Sequence, residues 1–183
     1  NDFNMKFGRI YGITLSDTSS YLARVLFDDK INYNKRTGIS VAHSFELPEL
    51  AASEITQKMN SQGYDWTCIT EFKGGNCLNL IKDNGQITSD FFENKYVMTF
   101  DDHGNSDGWW KALSSSQIPY LQQSIGLSAA CSTADFERGL SNTFGAHFLR
   151  KGGIGHIGSS GVTFIAQHFG PEGIVRKVTK TDL

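Results

Sequence analysis

The chain has 183 residues, enough for one domain that buries roughly 70% of its unfolded surface. Apolar side chains make up 39% and charged ones 20%, a globular composition that excludes an intrinsically disordered chain. With 17 basic against 19 acidic side chains, a formal charge of −2, it lacks the basic excess of a non-specific nucleic-acid binder. No apolar run approaches the roughly eighteen residues a membrane span needs. The polar start Asn1-Asp2-Phe3-Asn4 has no initiator Met and no signal peptide, and it reads as that of a trimmed or processed chain.

No repeat or low-complexity linker divides the sequence, so residues 1–183 are read as one α/β folding unit. Lys6 to Ile10 predicts a short strand, and Ser19 to about Asn34 a helix behind an Asp17-Thr18-Ser19 start signal. Gly38 to Ala42 predicts a strand. Pro48 to Asn60 predicts a second helix, with Pro48 in its first turn and Gly63 just past its end. Tyr64 to Phe72 alternates like a strand, Asp83-Asn84-Gly85 is a turn signal, and Ile87 to Asn94 predicts a short helix. Three further runs, 96–100, 125–130 and 153–157, read as buried strands, separated by helices around Gln117–Gln123 and Asn142–Arg150. Strands alternating with helices imply parallel pairing with both faces covered.

Three cysteines are too few for a disulfide scaffold, and their odd number leaves one outside any bridge within the chain. Cys68 and Cys77 flank the turn-like stretch Lys73-Gly74-Gly75-Asn76, and two readings stay open. They face each other across a hairpin in an oxidising compartment, or they are two thiols in or near a core. Cys131 lies in different surroundings.

In parallel sheets the working groups gather at the carboxyl ends of the strands. That points to Asp101-Asp102-His103-Gly104, Cys131-Ser132-Thr133 and Gly158-Ser159-Ser160-Gly161. A thiol nucleophile needs a base and N–H donors for the oxyanion it creates. His103 and Cys131 close two buried strands, and if those strands are neighbours both emerge at one edge. Position alone leaves a second reading open, a buried cysteine and a loop histidine with no relation.

The local words favour the first reading. His103-Gly104 after an apolar strand, then Ala130-Cys131 ending the next, resembles the His-Gly and Ala-Cys signature of caspases, legumains, clostripains and gingipains. Within that group the chain looks most like the gingipain-type peptidases. Their cysteine word is matched by Ala130-Cys131-Ser132-Thr133-Ala134-Asp135-Phe136, and the helix and strand that follow by Phe144–Arg150 and Gly153–Ser160. Phe7-Gly8-Arg9-Ile10 is similar to the word that precedes the catalytic half, so the likeness runs from about residue 6 to 166. It implies a caspase-like three-layer sandwich and a cysteine endopeptidase acting through a thioester on protein or peptide substrates. Cys131 would be the nucleophile, His103 the general base and acid, and the N–H groups of Gly104 and Cys131 the oxyanion hole. Ser159, Ser160 and Thr163 would line the pocket for the residue before the scissile bond, for which such enzymes prefer Arg or Lys.

Two departures from the family pattern stand out. Asp101-Asp102 precedes the histidine where the family often has a small residue or threonine. Beside an imidazole that pair would favour its charged form and attract a basic substrate side chain. Glu46 and Glu49 lie near where the family places its acidic pocket residue. The second departure is extent, since these peptidases carry another α/β subdomain before the Gly-Arg word, so a neighbouring subdomain of the same precursor is an expected partner. Secretion or display at the cell surface is implied by the resemblance alone.

Other motifs fail on their context. Gly153-x-Gly155-x-x-Gly158 does not open a helix as a dinucleotide fingerprint must. His103-x-Asn105-x-Asp107-Gly108 lacks the terminal glutamate of an EF-hand, although a looser structural calcium site from Asp101, Asp102 or Asp107 stays open. His103, Cys131, His147 and His156 lack zinc-ligand spacing, and no cofactor is required by the chemistry. Of Trp109-Trp110, one is expected at a substrate rim. The main alternative function is a catalytically inactive binding or structural module on the same fold, and a further one an acyl hydrolase.

Overall fold

Five short apolar runs pair side by side in one sheet, and helices cover both of its faces. This is seen in a computed structural model that describes residues 10, 12–30, 34–44, 46–71, 77–78, 87–138 and 142–162. The strands are β1 (Thr37–Ala42), β2 (Asp65–Ile69), β3 (Val97–Asp101), β7 (Ile125–Ala129) and β8 (Gly155–Ile157), in the order β2-β1-β3-β7-β8 and all parallel. Between β3 and β7 runs a small antiparallel sheet of β4 (Gly104–Asn105), β5 (Gly108–Trp109) and β6 (Leu113–Ser114). The helices are α1 (Leu15–Leu26), α2 (Glu46–Ser61) and α3 (Phe144–Arg150).

Every residue of β1 and β3 is buried, as expected of central strands covered on both sides. On one face Ile55 and Met59 of α2 pack with Trp66, Val97, Leu127 and Ala129. On the other, Phe144 and Phe148 of α3 join Ile39, Val41, Met98, Phe100 and Trp109. The result is a three-layer α/β sandwich with an all-parallel sheet, consistent with the caspase-like expectation.

Several expected elements shift, each for a local reason. The first helix starts at Leu15, before the expected Ser19, because Thr14 and Asp17 form a reciprocal capping box, and it ends at Leu26. It is anchored beside α3 by Tyr21 and Arg24, which donate to the carbonyls of Ile154 and Leu149. Around Gln117–Gln123 there is no helix. A single 3₁₀ turn over Ser115–Gln117 is stopped at Ile118, which precedes Pro119 and takes the extended ψ of 120° that a following proline favours. The short helix expected from Ile87 is a 3₁₀ turn, Ser89–Phe92. The small antiparallel sheet was not expected. Its first turn is made by Asn105, whose side-chain oxygen accepts from the N–H groups of Asp107 and Gly108, and by Gly108 at a φ of +153°.

Cys68 and Cys77 form a disulfide, which resolves the two readings left open above. The strand expected over 6–10 lies almost wholly outside the described residues, as do the stretch 73–76 and the turn at 83–85.

Candidate active site

The sheet order reverses direction between β1 and β3, and a crevice at the carboxyl ends beside such a switch is where open parallel sheets hold ligands. Three chain segments leave the sheet there in one register, since Ala42 pairs with Asp101 and Asp101 with Ala129. His43 follows β1, Asp102-His103 follow β3, and Ala130-Cys131 follow β7. His103 is exposed and Cys131 partly so.

The histidine loop rests directly on the cysteine turn. A Cβ at Gly104 would come 2.7 Å from the Ala130 Cβ, 3.1 Å from the Gly108 carbonyl oxygen and 3.2 Å from Thr133 Cγ2. Only glycine allows so close an approach of the two segments. The cysteine turn is itself sharp, because Ser132 sits in the left-handed region at a φ of +53°. Its N–H donates to the Gly161 carbonyl at 2.8 Å, and the Ala134 N–H to the Ser159 carbonyl at 2.9 Å. The Ser159 hydroxyl donates to the Gly161 carbonyl and accepts from the Gly161 N–H. The loop carrying Ser159 and Ser160 is thus hydrogen-bonded to the turn after Cys131. Thr163 lies outside the described residues.

The acidic residues are deployed differently from the expectation. The Asp102 carboxylate meets the imidazole of His43. Its Oδ2 lies 2.7 Å from His43 Nδ1 and accepts the His43 N–H at 3.1 Å, while its Oδ1 accepts the His103 N–H. Glu49 is 2% exposed, and its Oε1 accepts the Glu71 N–H at 2.6 Å, bracing the chain just beyond β2. Its carboxylate is thus enclosed by the fold. Glu46 opens α2, and its side chain lies outside the described residues. Among the described residues no group of three or more His, Cys, Asp or Glu is placed to hold a metal ion.

Asp101 is 8% exposed, and burial, reinforced by the nearby Asp102 charge, pushes its carboxyl up to about 8. Its ordinary value is 3.8, so between about pH 4 and pH 8 the native state holds a proton that the unfolded state has lost. Stability therefore falls as pH rises through that window and levels above it. Asp101→Asn is expected to flatten this slope, gaining at least about 1.4 kcal/mol on the parent between pH 5 and pH 8, the free energy of a tenfold change in proton affinity. Urea unfolding at the two pH values measures it, and an unchanged slope would refute the assignment.

Trp109 and Trp110 differ sharply in burial. Trp109 is 2% exposed, stacks on Phe100 at 5.0 Å and donates its Nε1–H to the Ser128 hydroxyl at 2.6 Å. Trp110 is 45% exposed, meets the His103 ring edge-on at 5.6 Å and carries Lys111 Nζ over its own ring at 4.2 Å. His156 packs between Phe144 and Phe148, and burial lowers it to about 4.

The residue that sequence reasoning missed is His43. It is fully buried at the end of β1, and the strand-end rule applied to His103 and Cys131 would have found it too.

The sequence model of peptidase family C25 matches residues 4–180. No curated protein and no solved structure is matched by the chain. Family C25 comprises cysteine peptidases, hydrolases whose substrates are proteins. With its all-parallel sandwich and a match over nearly its whole length, the chain belongs to this, the gingipain family.

Proposed function

We propose that the protein is an endopeptidase working through Cys131 and His103. The observation that carries this is the seating of Gly104 against Ala130, which sets the histidine loop on the cysteine turn at adjacent strand ends. The Cys131 thiolate attacks the scissile carbonyl carbon, and the oxyanion is received by the N–H groups of Gly104 and Cys131. His103 delivers its proton to the departing amine, leaving a thioester. Water, deprotonated by His103, then attacks the thioester, the acid product leaves, and the thiol is restored. None of these steps uses a cofactor.

The pocket for the residue before the scissile bond is assigned to the loop of Ser159 and Ser160, with Asp101 as its charge partner. A guanidinium or ammonium brought beside Asp101 would favour its ionised form, offsetting the burial that now disfavours it. That supports cleavage after Arg or Lys. A fluorogenic peptide set varied only at that residue tests it. We expect Arg or Lys to exceed neutral residues by at least about tenfold in kcat/KM, the worth of about 1.4 kcal/mol. A best substrate with an apolar or acidic residue there would overturn the preference.

The Cys68–Cys77 disulfide supports an oxidising location, secreted or at the cell surface. Leu15, Leu22, Val25 and Leu26 of α1 are exposed, an apolar face that supports a neighbouring subdomain as partner.

A further inference from the structure

The buried histidine at the end of β1 is tied to both ends of the loop that carries His103. Its Nδ1 lies 2.7 Å from Asp102 Oδ2, and its Nε2 lies 2.7 Å from the Trp110 carbonyl oxygen. From Asp102 the chain of contacts continues to the His103 N–H, and from Trp110 it continues through that residue's N–H to the His103 carbonyl at 3.1 Å. The contacts close a ring His43–Asp102–His103–Trp110–His43. A carbonyl only accepts, so Nε2 carries a proton, and the short Nδ1–Oδ2 contact holds a second between ring and carboxyl. Ser44 Oγ stands 3.0 Å from Nδ1, and Phe100 packs on the imidazole at 5.8 Å. Both partners' side chains are fully buried, the setting in which loss of one partner leaves the other's charge uncompensated.

We propose that His43 is the positioning residue of this site: with Asp102 it clamps the 102–110 loop and so fixes where the His103 ring stands. The proposal rests on the reading of His103 as the proton-transfer group. His43 acts through the His103 main chain and through Trp110, whose ring meets the His103 imidazole edge-on. A proton-transfer group works only within hydrogen-bond reach of its target, and a displacement of about 1 Å costs on the order of 100-fold in rate.

The test uses His43→Gln, which keeps an N–H aimed at Trp110, and His43→Asn, which keeps one aimed at Asp102. The double variant His43→Gln/Asp102→Asn removes the charge altogether in case the single changes prevent folding. We expect kcat to fall about 10- to 100-fold with KM within about twofold, and the rate of Cys131 alkylation by iodoacetamide to fall with it. Met59→Leu, a core change in α2 on the opposite face of the sheet, should leave the alkylation rate near that of the parent. Histidine ring ¹⁵N spectra of the parent should show protons on both His43 nitrogens, and His103 signals that move in every folded variant. Folded variants with parental kcat, alkylation rate and His103 signals overturn the proposal, as does a parent His43 ring with one proton in fast exchange. An equal loss of alkylation in Met59→Leu also overturns it. If the parent cleaves no peptide, the function proposed above fails. The spectra still decide the clamp, for unmoved His103 signals in the folded variants sink it alone.

Discussion

Cys131→Ala is expected to lower peptide hydrolysis by about 10⁴-fold or more while leaving the fold intact. The size of the loss follows from the role assigned to sulfur: without it no acyl-enzyme forms, and neither the histidine nor the oxyanion donors can supply a substitute nucleophile. The fold should survive because the change is small, the site partly exposed, and the turn held by main-chain bonds from Ser132 and Ala134 to the 159–161 loop. Progress curves on a fluorogenic peptide, beside thermal unfolding of both proteins, make the measurement. Residual activity within tenfold of the parent, at an unchanged unfolding temperature, would remove Cys131 from the mechanism.

Trp109→Ala is expected to cost about 3–5 kcal/mol of stability, enough to unfold a domain of ordinary marginal stability at moderate temperature. The indole is buried among Phe92, Phe100 and Phe144, with ring centroids at 5.9, 5.0 and 4.9 Å. Truncation opens a cavity there and leaves the Ser128 hydroxyl without its donor. Urea unfolding followed by circular dichroism reads the loss, and a cost below about 1 kcal/mol would mean that this cluster does not hold the core. Trp110→Ala, on the exposed neighbour, should cost far less.

Much of this was legible in the sequence because parallel strands announce themselves. Val97 to Phe100 and Ile125 to Ala129 are apolar almost throughout, and α2 carries its core residues at helical spacing, so the central layers could be placed without coordinates. What escaped depends on contacts between distant segments. Asp107-Gly108 is a hairpin signal, yet the strands it joins have only two residues each, too short to show alternation. Gln117–Gln123 has helical composition, and the constraint that Pro119 places on Ile118 wins over it. The destination of Asp102 was the hardest. In sequence its nearest imidazole is His103, but the register of β1 against β3 brings His43 to it from 59 residues away.

The strands that carry His43, His103 and Cys131 are β1, β3 and β7, the three inner members of the sheet, with β2 and β8 at the edges. Fraying at either edge, the cheapest local opening for a sheet, leaves all three in register. Parting any two of them instead separates the packed layers above and below. The register that sets these three strand ends side by side is thus fixed by the interior of the sheet, and it is expected to open only with global unfolding.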